Sequence, residues 1–255
     1  MEIEDFHHLR ELEESFWWFV GMRDIQQTLL DQVLPRGWAA DAFDIGCGTG
    51  GNIAWLQRYV SPVGVTAGLD IEPTALAYCR ERGFMQLVQG SADALPVESA
   101  SQAIVTAFDV IQQLPRDRGI EVFAEIHRVL RPGGHAFIRS AAYEWMRSGH
   151  DAALHTQHRY TVRELAGLAE DAGLQVLRRT SANAVLLPVA AVRRLLMKRL
   201  GAADAGSDVK PLGPRLRWIN GLFTRALRLE ARILRRPRTR LPFGLSAIVV
   251  VRRPK

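Results

Sequence analysis

The sequence predicts an α/β fold, a mostly parallel sheet with helices on both faces, on three observations. Short apolar runs alternate with helical patterns between residues 39 and 182. A glycine-rich turn, "DIGCGTGG", joins the first run to the first of those helices. Asp70 closes the second run, where sheets of this kind place an acid for ribose hydroxyls. Regular alternation of strand and helix argues for parallel strands joined by crossover helices.

Each element follows from its pattern. A helical segment extends through about Leu34, and "AFDIG", "VTAGLD", "MQLVQG", "AIVTAFDV" and "HAFIRSA" read as strands. Between them "GNIAWLQRYV", "PTALAYCRERG" and "DRGIEVFAEIHRVLRPGG" read as helices, with Pro132, Gly133 and Gly134 expected to stop the last. Thr161 with Glu164 three residues on forms a capping box that opens "TVRELAGLAEDAG", and "LQVLRRTS" follows as a strand. Two basic helical stretches, around 185–200 and 215–236, are then separated by the Gly/Ala/Ser/Pro-rich "GAADAGSDVKPLGP". "LSAIVVVRR" is a last apolar strand, and no internal repeat is present.

Composition narrows the class. With 255 residues, 47% of them hydrophobic, the chain can bury a full core as one large domain or a domain with an appendage. The apolar run from Ala184 to Val192 is far shorter than the roughly 20 residues a membrane-spanning helix needs. The acidic start lacks an apolar signal core, and Cys47 and Cys79 alone make no disulfide framework, so a reducing cytoplasm is expected. The charge is uneven. Residues 1–182 carry 16 Lys and Arg against 24 Asp and Glu, a formal −8, and residues 183–255 carry 17 against 3, a formal +14. A basic surface element of this kind suits phosphate, nucleic acid or an anionic membrane, or is simply a solvated face.

Gly46, Gly48 and Gly51 satisfy the dinucleotide fingerprint G-x-G-x-x-G. Glycines let the backbone approach a ligand closely, and the Asp70 carboxylate accepts from two hydroxyls. On these residues NAD and S-adenosylmethionine both remain open. Three features favour the second. Asp44 stands where a dinucleotide-binding strand normally has an apolar residue, and suits the ammonium of a methionine moiety. Asp93, in "GSADALP", suits an adenine amino group, and "FDV" puts Phe108 and Asp109 at the mouth of the same crevice.

Through "FDIGCGTG" (43–50), "GLDIEPTAL" (68–76), "GSADALP" (90–96), "FDV" (108–110) and "EIHRVLRPGG" (125–134) the chain resembles class I S-adenosylmethionine-dependent methyltransferases of the type 11 kind. The resemblance implies a Rossmann-like seven-stranded sheet, its last strand antiparallel, with a basic helical insertion before that strand. It implies a helical lid (1–38), a cofactor-binding core (39–182), the insertion (183–244) and the closing strand (245–255). It also implies S-adenosylmethionine as cofactor. Asp44, Gly46, Cys47, Gly48 and Gly50 would then shape the methionine and ribose pocket, Asp70 would hold the ribose, Ile71 would pack on adenine, and Ala92 and Asp93 would face its edge. Where many relatives read Glu-His, this chain has Gln112 and Gln113, so a proton acceptor is sought elsewhere.

That search leads to "HDAALHTQHRY", with His150, His155 and His158. Methyltransferases with a "WWF"-type start resemble the chain here as well, and the resemblance puts this stretch in the substrate wall. No zinc spacing is met, so no metal is expected. An imidazole titrates near pH 6.5 unperturbed, and Asp151 is placed to orient one; His155 is the preferred candidate base. Trp18 and Arg23, within "FWWFVGMR", are expected to close over the sulfonium and reach the cofactor carboxylate, or to pack as an ordinary aromatic helix. On a helical wheel Arg217, Arg225, Arg228, Arg232, Arg235 and Arg236 fall on one arc, opposite Ile219, Leu222, Phe223, Ala226, Leu227, Ile233 and Leu234, with Glu230 an intruder. This helix either lies on anionic lipid at the inner face of the membrane or covers its own domain; RNA ranks third. The expected activity is methyl transfer to O or N of a small-molecule or lipid-linked acceptor. The alternatives are an NAD-dependent oxidoreductase, or a membrane- or RNA-binding protein that retains the cofactor fold. Oligomeric state is not legible.

Overall fold

The computed structural model describes residues 3–199 and 217–255. Two helices, α1 (Ile3–Leu12) and α2 (Trp17–Leu30), precede β1 (Ala39–Ile45), α3 (Gly51–Leu56), β2 (Val60–Asp70), α4 (Pro73–Glu81), β3 (Leu87–Gln89) and β4 (Gln102–Phe108). The chain continues through α5 (Gly119–Val129), β5 (Leu130–Ala141), α6 (Gly149–Ala153), α7 (Val162–Asp171) and β6 (Gln175–Ala182). It then runs through α8 (Leu187–Arg199), α9 (Arg217–Leu234) and β7 (Ser246–Arg252). The seven strands form one sheet in the order β3-β2-β1-β4-β5-β7-β6, and β7 is antiparallel to both neighbours. The strand order reverses between β1 and β4, the switch point where open sheets hold ligands at their C-terminal edge.

The strands are buried on both faces because alternate side chains feed two cores. Val105 and Ala107 of β4 pack with Val122, Phe123 and Ile126 of α5 and Leu165 of α7. Ile104 and Phe108 pack on the other side with Met22, Ile25 and Leu29 of α2 and with Leu227 and Leu234 of α9. The basic insertion thus supplies a core layer. Gly21 permits this: a Cβ there would stand 2.4 Å from Leu227 Cδ1, so only glycine lets α2 and α9 approach so closely. Burying side chains such as Leu227 and Leu234 stabilises the fold by roughly 1.5–3 kcal/mol each.

Some boundaries differ from expectation. The helix after the glycine turn stops at Leu56, because Tyr59 turns into the core, against Trp55, and donates its hydroxyl to Asp31 at 2.8 Å. α5 ends at Val129, and Pro132, Gly133 and Gly134 already belong to β5, since buried Leu130 pairs with Gln102 before the register shifts. The capping box at Thr161 is present with both reciprocal bonds. Of the apolar arc expected on the basic helix, Leu227 and Leu234 are buried with Phe223 partly so, whereas Leu222 and Ile233 are exposed. Glu230 is no intruder. Buried among apolar neighbours, it accepts from the backbone N–H of Asn183 (2.7 Å) and Val185 (2.9 Å) and so fixes the approach to α8. The separating stretch "GAADAGSDVKPLGP" and Arg217's side chain lie outside what is described.

Candidate active site

A cavity of about 780 Å³ opens over the C-terminal ends of β1, β2 and β4, in the size range of small-molecule sites. Its floor is the glycine turn. Gly46 and Gly48 line the cavity with φ of +68° and +54°, and a Cβ on Gly46 would stand 2.1 Å from Val110 Cγ2, so only glycine fits there. Asp70 ends β2 with its carboxylate fixed from two sides: Oδ2 accepts from Gly48 N–H at 2.8 Å and Oδ1 from Glu72 N–H at 3.0 Å. Burial raises its pKa, and the lone pairs left on the cavity side can accept from hydroxyls.

Gly46, Cys47, Gly48, Asp70, Ile71, Ala92 and Phe108 all line this cavity, as do Trp18, Arg23 and His155. Arg23 donates to the Glu13 carbonyl at 3.0 Å, which holds it in the wall. The Cys47 thiol lies 3.9 Å from that of Cys79, and the interaction between them raises its pKa together with burial.

Four expected residues lie outside the cavity lining. Asp44 is fully buried beneath the turn, where its Oδ1 accepts from Thr106 Oγ1 at 2.6 Å and its Oδ2 has no partner; burial, reinforced by Asp70, pushes its pKa up to about 8. Gly50, at φ +89°, serves as the turn into α3, where a Cβ would crowd Phe84 and Cys79. Asp93 does not line the cavity, because Arg118 takes its carboxylate at 2.7 Å. His158 packs edge-on against Tyr160 with its ring nitrogens 3.7 Å from Glu144 and 3.5 Å from Glu164, outside the cavity lining. The side chain of His150 lies outside the described residues. Asp151 is engaged by Arg159, at 2.7 and 3.2 Å, and by Ser148 N–H, so its orienting effect falls on Arg159.

Two further residues of the site, Glu13 and Arg139, were not singled out from the sequence, and Gln112 was noted there only as lacking a proton acceptor. Glu13 pairs with Arg82 and stands against Gly51, where a Cβ would meet its carboxylate at 2.2 Å. Nothing local marks it. Arg139 has a signal, a charge within the otherwise apolar "HAFIRSA". It is buried, pairs with Asp109 through Nε at 3.0 Å, and stacks over Trp18 and Phe108 with centroid distances of 4.7 and 5.1 Å. Gln112 is 3% exposed and lines the cavity; its Oε1 accepts from Ala141 N–H and from Ser140 Oγ (3.1 Å). With the carboxamide oriented in this way, its N–H₂ is left without a partner among the described residues.

The glycine cradle, the fixed Asp70 and the unpaired buried Oδ2 of Asp44 are an acceptor-rich set that suits a nucleoside with a cationic arm, and S-adenosylmethionine fits them. No group of three His, Cys, Asp or Glu able to hold a metal occurs among the described residues.

Comparison with known proteins agrees. Residues 43–138 match the family model described as a methyltransferase domain. Phthiotriol/phenolphthiotriol dimycocerosates methyltransferase of Mycobacterium leprae is 34% identical over 95 residues, 36% of this chain and 34% of the relative. Fatty-acid O-methyltransferase of Mycolicibacterium smegmatis is 31% identical over 144 residues, 55% of this chain and 46% of the relative. The aligned part thus spans a third to a half of these relatives. Phosphoethanolamine N-methyltransferase 2 of Haemonchus contortus, solved with S-adenosyl-L-methionine, superposes at a TM-score of 0.57 and 15% identity, covering 90% of this chain and 53% of that one. A likeness at that identity speaks for the fold. Residues 43–138 thus match a methyltransferase domain, and the sheet of seven strands whose last is antiparallel makes the chain similar to methyltransferases of the class I S-adenosylmethionine-dependent type.

Proposed function

We propose that the protein moves the methyl group of S-adenosylmethionine to an oxygen or nitrogen of an apolar, lipid-like acceptor. The observation that carries this is the two-sided character of one cavity. Glycine backbone and Asp70 form one part, and Phe16, Trp17, Leu186, Val189 and Phe223 another. The named relatives act on phthiotriol dimycocerosates and on fatty acids, which supports an acceptor of this class.

When bound, S-adenosylmethionine supplies an electrophilic methyl carbon on a sulfonium. Asp70 would accept from the ribose hydroxyls, and the turn at Gly46 and Gly48 would hold the methionine and ribose part. Trp18, held by Arg139, closes the site from α2 and keeps water from the reacting atoms. An ionised carboxylate acceptor needs no base, and alignment then provides most of the rate. A hydroxyl acceptor needs one, and His155, the candidate histidine whose side chain lines the cavity, takes its proton.

Calorimetric titration with S-adenosylmethionine, S-adenosylhomocysteine and NAD, beside Asp70→Ala, tests the cofactor. Binding of the first two, lost in the variant, is expected. Binding of NAD alone would favour an oxidoreductase and end the proposal. Methyl transfer from labelled cofactor to long-chain fatty acids and alcohols, against short-chain analogues, tests the acceptor class; preference for the short compounds would overturn it.

A further inference from the structure

The outward faces of α8 and α9 carry apolar side chains that the fold does not use. Along α9, Trp218 (67% exposed), Leu222 (50%), Leu229 (52%) and Ile233 (42%) are spaced by four, seven and four residues, which keeps them in one line on a helix. They turn away from Leu227, Ala231 and Leu234, which are buried in the core with residues of α2. This helix therefore has two apolar sides, and its own domain covers only one. Arg225, Arg228, Arg232 and Arg235 flank the exposed line and are themselves exposed. Arg228 pairs with Asp24 of α2 at 2.8 Å; the other three have no side-chain partner among the described residues. Val185, Val189 and Val192, at the start of α8 and along it, are likewise exposed, and Val189 also lines the cavity.

We infer that this face rests on an anionic lipid surface. An exposed Trp with three aliphatic side chains on a line, beside a row of arginines, has the chemistry of a helix lying in the boundary between headgroups and acyl chains. Charge complementarity selects the surface: residues 183–255 carry 17 Lys and Arg against 3 Asp and Glu. No helix among the described residues is long and apolar enough to cross a membrane, so the contact is peripheral. Val189, shared by the exposed face and the cavity, gives an apolar acceptor a path from the bilayer to the site. That last consequence rests on the proposed function, whereas the docking does not.

The test is cosedimentation of the full chain with vesicles of phosphatidylcholine alone and of phosphatidylcholine mixed with phosphatidylglycerol. Binding to the mixed vesicles only, weakening as salt is raised, is expected. The variants Leu222→Ser/Leu229→Ser and Arg225→Glu/Arg232→Glu should each lose at least about tenfold in partition while still binding S-adenosylhomocysteine, which shows that they fold. Unchanged partition of both variants, or equal binding to neutral vesicles, would overturn the inference. So would a wild-type dimer that Leu229→Ser splits, since a second copy would then cover the face. Vesicle binding without methyl transfer would sink the proposed function and leave the docking surface standing.

Discussion

The guanidinium of Arg139, on β5, stands 4.7 Å from the ring centroid of Trp18, on α2. Through this contact the helix before the sheet is joined to the end of a central strand, and Asp109, at φ +60° after β4, neutralises the cation from the other side. A buried pair broken on one side leaves an uncompensated charge, at a cost of about 3–5 kcal/mol. Arg139→Ala should therefore lower the urea midpoint sharply. Trp18→Ala, which removes a ring packed on the core and stacked with Arg139, should cost less stability than Arg139→Ala while weakening cofactor binding by about fivefold or more, as loss of the cavity wall implies. Equal cofactor affinity in Trp18→Ala would show that the ring is packing alone.

Asp44 makes a prediction in pH. Its folded-state pKa is held at about 8 against an ordinary 3.8. Between those values the folded chain keeps a proton that the unfolded chain gives up, so the free energy of unfolding falls as pH rises through the window. Asp44→Asn should flatten the pH dependence of the unfolding midpoint between about pH 4 and about pH 8. A cationic ligand arm beside Asp44 favours the carboxylate, so binding should release a proton below about pH 8. That release would be read from calorimetric heats in buffers of different ionisation enthalpy. Buffer-independent heats would place the cationic arm elsewhere.

The core role of α9 is tested at its contact with α2. Leu227→Ala should cost about 2–5 kcal/mol, a core deletion rather than a surface change. Gly21→Ala should cost about 1–3 kcal/mol by forcing the two helices apart. Substitution of Leu229, one turn-face away and exposed, should change stability by less than about 0.5 kcal/mol. Comparable losses at Leu227 and Leu229 would contradict the packing.

What the sequence made legible was local. The glycine turn, Asp70 and the Thr161 box are each specified by a few neighbouring residues, beside a strand or helix whose period is plain, and the seven strands with an antiparallel last one followed from the family resemblance. What it hid was pairing at a distance. Asp93 is drawn off by Arg118, Glu13 reaches Gly51, and Glu230 caps the approach to a helix some 47 residues earlier. No periodicity announces such partners. The wheel of α9 likewise showed apolar and basic sides without saying which apolar line would meet α2, and so it merged Leu222 and Ile233 with Leu227.

His155 stands at φ +54°, exposed and in the cavity wall. For a hydroxyl acceptor, His155→Asn should cut kcat by about a hundredfold, the usual scale of general-base catalysis, with cofactor affinity intact. For a carboxylic acid acceptor the same variant should be nearly silent, because no proton has to leave. Equal loss with both acceptors would make the residue a wall rather than a base.

Substitution of Gln112 should separate recognition of the acceptor from binding of the cofactor. Its Oε1 accepts from Ala141 N–H and Ser140 Oγ, so the N–H₂ is the free end, and the residue lines the cavity. A donor at that place suits an acceptor oxygen, most of all an anionic one, where a hydrogen bond to a charge contributes about 1.5–3 kcal/mol. Gln112→Glu keeps the bonds to Ala141 and Ser140 but replaces the donor with a negative charge. It should lower kcat/KM for a fatty acid by about tenfold or more, leave S-adenosylhomocysteine affinity unchanged, and affect a neutral alcohol less. Gln112→Leu removes the supporting bonds as well, and should therefore add a loss of stability that the Glu variant does not show. If the Glu variant treats acid and alcohol alike, Gln112 only braces the end of β5 and the loop that follows.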